Sequence, residues 1–134
     1  MAREQYRNEL DNLKNAVLEM GKLVLDRLDM AQSALAEGED DLAQTVIDGD
    51  DEIDRRYFEI ESACIDMIAL QQPVASDLRF VVASFKIATD LERVGDLAAN
   101  LGQYARSRTG QKVPKIDLST IGQVASDMLA DALA

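Results

Sequence analysis

Two pairs of carboxylates have the type and spacing to do chemistry: Asp50 with Asp54, and Glu92 with Asp96. Residues four apart on a helix share a face, so each pair aims two carboxylates in one direction. Asp50 falls in a gap of an apolar stripe, while Glu92 and Asp96 flank Leu91 and Gly95. Both pairs therefore border a seam between helices, where charge is costly unless something compensates it. A hard cation would do so, and an all-carboxylate donor set suits magnesium, calcium, manganese or iron better than zinc or copper. Gly95, lacking a side chain, lets a neighbouring helix or ion come close. With 25 acids in 134 residues, acidic pairs also arise by chance, and Glu37/Asp41 and Asp127/Asp131 read as solvated surface.

Other chemistries are excluded by what the chain lacks. Histidine is absent, which removes Ser-His and Cys-His catalysis, His-Glu-x-x-His zinc sites and any histidine general base. Cys64 is the single cysteine, so neither an internal disulfide nor a cysteine metal cage can form. A net charge of −11 repels phosphate backbones and argues against direct nucleic-acid binding. The apolar fraction of 47% is too high for a disordered chain. Apolar runs such as 80–83 are far too short for a transmembrane helix, and the N-terminus has no signal-peptide core. A lone thiol without an export signal indicates a cytoplasmic location.

Helices must position the acids, because the apolar spacing is helical almost throughout. Leu10, Leu13, Val17, Met20, Val24, Leu28, Ala31 and Leu35 step by three and four, predicting a helix over about 5–36 that Gly38 ends. Acidic Glu39, Asp40 and Asp41 favour the start of a second helix, with its stripe on Leu42, Val46, Ile53, Tyr57, Ile60, Cys64 and Met67. That stripe is interrupted at Gly49 and Asp50. Gln71-Gln72-Pro73 breaks the chain, and Ser76 or Asp77 caps a third helix with Val81, Phe85, Ala88, Leu91, Gly95, Ala98 and Gly102 turned inward. The stretch 106–115 is basic and carries Gly110 and Pro114; Asp117 then opens a fourth helix with Leu118, Ile121, Ala125, Met128 and Ala132 on one face. The expectation is an all-α, up-down-up three-helix bundle plus a fourth helix that begins a second repeat.

The second repeat is suggested by the match of 20–28 with 121–129, which shares Gly, Asp and Leu at an offset of 101 residues. The expected organisation is therefore a three-helix repeat over 1–108, a linker over 109–116 and the first helix of an incomplete repeat over 117–134. On this reading the sequence is a fragment of a two-repeat protein. Cys64, Met20, Met67 and Met128 read as core, and Gly21 and Gly102 as points of close helix contact. Arg79 and Lys86 are expected to pair with acids of the second helix, the alternative being that they meet a partner.

Two longer strings are more specific. Gln72-Pro73-Val74-Ala75-Ser76-Asp77-Leu78-Arg79, and Thr89-Asp90-Leu91-Glu92-Arg93-Val94-Gly95-Asp96-Leu97-Ala98-Ala99-Asn100, resemble the signature of the PhoU family. The run from Val46 through Asp50, Ile53 and Asp54 to Cys64 is similar too, as is Leu13 to Gly21 with its Met20-Gly21 pair. The resemblance implies a cytoplasmic, all-helical protein of two three-helix repeats, each with acidic-x-x-x-Asp motifs that bind metal clusters. Carried over, those motifs fall on Asp50/Asp54 and Glu92/Asp96, with Asn100 one turn further along. It also implies a non-enzymatic role: restraint of phosphate uptake and phosphate signalling when phosphate is plentiful, through the phosphate ABC transporter ATPase and a sensor histidine kinase. Membrane association would then be peripheral, through those partners, and transcription would be regulated indirectly.

The expected cofactors are magnesium, manganese or iron ions; the apolar face of the fourth helix is expected to cover the first bundle or to pair with another chain, and a homodimer is expected. Two other readings stand beside this one. A carboxylate-bridged oxidase of the ferritin-like kind would want Glu-x-x-His pairs that this chain cannot supply. A purely structural bundle would leave the four acids as mutual repulsion and nothing more.

Overall fold

The structure, a computed structural model, describes residues 2–107 together with Asp127 and Asp131. Four α-helices follow one another: α1 (Ala2–Glu37), α2 (Asp40–Asp48), α3 (Asp50–Asp66) and α4 (Ala75–Ser107), with a π-helical turn at Met67–Gln71 after α3. Among the described residues there is no strand, and no described helix is long and apolar enough to cross a membrane. Apart from Asp127 and Asp131, the linker and fourth helix expected over 109–134 lie outside the described residues.

α2 and α3 act as one rod. Gly49 stands between them with φ −77° and ψ −7°, close enough to helical geometry that the chain continues without reversing. The interruption expected at Gly49 is thus a local break in hydrogen bonding within a single descending arm. The bundle is up-down-up: Tyr6 of α1 meets Asp77 of α4 at one end, and Ala34, Ala43 and Ala105 pack at the other.

The ends follow from local chemistry. Gly38 takes φ +71°, the left-handed conformation that favours glycine, and its N–H donates to the Ala34 carbonyl at 2.9 Å. Gln72, before Pro73, turns left-handed at φ 47° and ψ 59°, which ends the π-helical turn. α4 starts at Ala75, slightly before the expected cap. Asp77 instead accepts a hydrogen bond from the Tyr6 hydroxyl at 2.9 Å and ties α1 to α4.

The core is wide at one end and narrow at the other. Leu13, Val17, Met20, Val24, Ile53, Ile60, Met67 and Val81 are buried around Cys64 in the wide part. Beyond them come Ala31, Val46 and Ala98, then Ala34, Ala43 and Ala105 with Leu35 and Leu42 packed against them. Every residue of the first stripe between Leu13 and Val24 is buried, as its spacing predicts. Cys64 is core as expected: its thiol lies 3.7 Å from the Val81 carbonyl oxygen, and burial pushes its pKa up to about 11.

Candidate metal centre

Ile53 on α3 and Gly95 on α4 set the distance between the two acidic pairs. A Cβ placed on Gly95 would lie 3.0 Å from Ile53 Cγ2 and 3.1 Å from Cδ1, so the helices meet where α4 has no side chain. Ile53 lies between Asp50 and Asp54, and Gly95 between Glu92 and Asp96. The contact that closes the seam therefore also draws the carboxylates together.

Asp50, Asp54 and Asp96 each offer a carboxylate oxygen, and these oxygens all lie within 4.8 Å of one another. A hard cation bound at roughly 2.0–2.6 Å from each ligand spans that separation. Asp50 Oδ1 is buried with no hydrogen-bond partner, an acceptor with nothing to accept from. The residues therefore fit a hard cation in both donor type and spacing. Glu92 stands beside the three, near enough for its carboxylate to feel those of Asp96, Asp54 and Asp50. Asn100 is exposed on α4, one turn beyond Asp96.

The electrostatics carry the strain of this crowding. Burial, then the facing carboxylates of Asp54, Asp96 and Asp51, pushes Asp50 up to about 6. Asp54 is raised by burial and by Asp96 and Asp51, with hydrogen bonding to Glu92 pulling the other way. Glu92 is raised by burial first and then by Asp96. Binding of a proton or a cation would relieve the repulsion.

Spacing alone picked out Asp50, Asp54, Glu92 and Asp96, and the fold brings all four to one seam. It did not reveal Asp51, whose charge adds to the crowding, because Asp51 is merely the next residue along. Nor did it reveal the ion pairs that join α1 to α3. Arg27 pairs with Glu52 at 3.5 Å, and Arg56 bridges Glu52 at 3.4 Å and Glu19 at 3.6 Å. The Arg27 guanidinium lies where a Cβ on Gly49 would stand, 2.9 Å from its Cζ, so glycine at the α2–α3 junction makes room for it. One expectation is corrected: Arg79 and Lys86 are exposed and form no ion pair among the described residues.

The comparisons with known proteins bear on the family and the fold. A family model described as the PhoU domain matches residues 17–105. The chain is 39% identical over 127 residues to the phosphate-specific transport system accessory protein PhoU homolog of Aquifex aeolicus, covering 93% of this chain and 58% of that protein. It is 34% identical over 131 residues to the phosphate-specific transport system accessory protein PhoU of Escherichia coli (strain K12), covering 96% of this chain and 54% of that protein. The crystal structure of the phosphate transport system regulatory protein PhoU from Streptococcus pneumoniae superposes with a TM-score of 0.77 at 33% identity, covering 96% of this chain and 61% of that one. The chain thus spans little more than half the length of the proteins it matches.

Proposed function

The chain belongs to the PhoU family, and on that premise we propose that it is a non-enzymatic regulator that restrains phosphate uptake and phosphate signalling when phosphate is plentiful. It acts by binding: one seam holds a hard cation, and other surfaces contact the ATPase of a phosphate ABC transporter and a sensor histidine kinase. Its place is the cytoplasm, at the membrane only through those partners, and it pairs with a second copy of itself. The observation that carries the reading is the meeting of three carboxylate oxygens within 4.8 Å at the two motifs that mark the family resemblance. The names of the relatives, accessory proteins of phosphate-specific transport, support the role in phosphate transport.

When bound, the cation would supply charge compensation and rigidity. Asp50, Asp54 and Asp96 would hold it, with Glu92 beside them, while Ile53 and Gly95 keep the two helices at the required separation. The test is metal content after purification, for the wild type and for the variant carrying Asp50→Asn, Asp54→Asn, Glu92→Gln and Asp96→Asn. Metal in the first and none in the second is expected; equal metal in both rejects the site. Phosphate uptake at high phosphate, in cells with and without the protein, tests the regulatory role, and unchanged uptake rejects it.

A further inference from the structure

A second surface, lined by none of Asp50, Asp54 and Asp96, lies further along α3. Between α1 and the α3–π-turn rod runs a groove of about 410 Å³. Its floor is apolar, formed by Ala16 and Ala63 over the edges of the buried Leu13, Ile60 and Met67. The groove exists because small residues face each other: Ala16 on α1 and Ala63 on α3 leave open what larger side chains would fill. Leu70, 77% exposed, extends the apolar surface at one end. From Glu59 to Gln71 the trough follows the rod for roughly 18 Å, about three helical turns.

The rim is acidic. Glu9, Glu59 and Asp66 line it, none of the lining residues is basic, and none of these three carboxylates forms an ion pair among the described residues. An apolar trough of three turns with a one-signed rim matches an amphipathic helix whose flanks carry the opposite charge. An acidic helix would meet like charges along both edges and be rejected.

We propose that this groove receives a basic amphipathic helix of a partner protein, its apolar face on Ala16, Ala63 and Leu70 and its cationic flanks against Glu9, Glu59 and Asp66. The proposal deepens the reading that the chain works through protein contacts and rests on it, but it is independent of metal binding.

The probe is a labelled amphipathic peptide of leucine and lysine, about 18 residues long, compared with a leucine–glutamate peptide of the same apolar register. Each is titrated into the full chain by fluorescence anisotropy at about 0.15 M salt, where distant surface charges are screened. The lysine peptide should bind and the glutamate peptide should not. The variant Glu9→Gln/Glu59→Gln/Asp66→Asn should weaken binding about tenfold, as expected for contacting charges. The variant Asp26→Asn/Asp40→Asn/Asp41→Asn makes the same change in net charge at exposed positions elsewhere and should leave affinity within about twofold. Ala63→Trp, at an exposed position, should fill the groove and abolish binding with an unchanged melting curve. Equal losses in the two charge variants, equal binding of both peptides, or undiminished binding to Ala63→Trp would each overturn the proposal. The metal measurement is unaffected by any of these results, so the two readings fail separately.

Discussion

Gly95 of α4 stands against Ile53 of α3 so closely that a single added carbon would sit 3.0 Å from the isoleucine Cγ2. Each residue lies between the two acids of its own helix, so this contact fixes the distance across the carboxylate cluster.

Widening the contact should therefore loosen two properties at once. Gly95→Val overpacks the seam and is expected to cost about 1–3 kcal/mol, read by thermal or denaturant unfolding. It should also weaken metal binding by moving Asp96 away from Asp50 and Asp54. Adding Ile53→Ala, which makes room for the new side chain, should recover part of the seam, so the double-mutant cycle should show clear coupling. Additive costs would show that the two residues do not set the spacing.

The pH dependence has a defined sign. Asp50 is raised from 3.8 to about 6 in the folded protein, and Asp54 and Glu92 shift the same way. The native state thus holds more protons than the unfolded chain between about pH 4 and pH 6, and stability falls as pH rises through that window. In chelator, the melting temperature should be higher at pH 5 than at pH 7, and Asp50→Asn should flatten the difference. A melting temperature that rises over this range because of Asp50 would contradict the assignment.

A cation should reverse the loss. At pH 7 a metal present at about 100 times its dissociation constant stabilises by about 2.7 kcal/mol, which a melt with and without metal reads directly. The four-fold amide variant should gain stability in chelator, since repulsion is gone, and show no response to metal. A stabilised variant together with an unresponsive wild type would leave a structural bundle with unrelieved repulsion.

At the far end of the bundle, Tyr6→Phe removes the hydroxyl that donates to Asp77 at 2.9 Å. The expected cost is about 0.5–1.5 kcal/mol, the net worth of one part-buried hydrogen bond. Hydrogen exchange should show earlier opening of the first turns of α1, with the acidic cluster unaffected.

The sequence by itself determined the helices and their faces. Spacing of three and four from Leu10 to Leu35 is a local property of one chain segment, and so is the left-handed stop at Gly38. The same periodicity placed Asp50 with Asp54, and Glu92 with Asp96, on shared faces at a seam. The π-helical turn at Met67–Gln71 was not legible, because its bonding pattern differs from an α-helix without changing which residues are apolar.

Only the tertiary structure decided which charges meet. Asp50, Asp54 and Asp96 converge, Arg27 and Arg56 reach across to Glu52 and Glu19, and Arg79 and Lys86 remain exposed. Periodicity gives the direction of a side chain about its own helix axis. Whether two such directions meet depends on the separation and rotation of neighbouring axes, which packing at positions such as Ile53 and Gly95 sets.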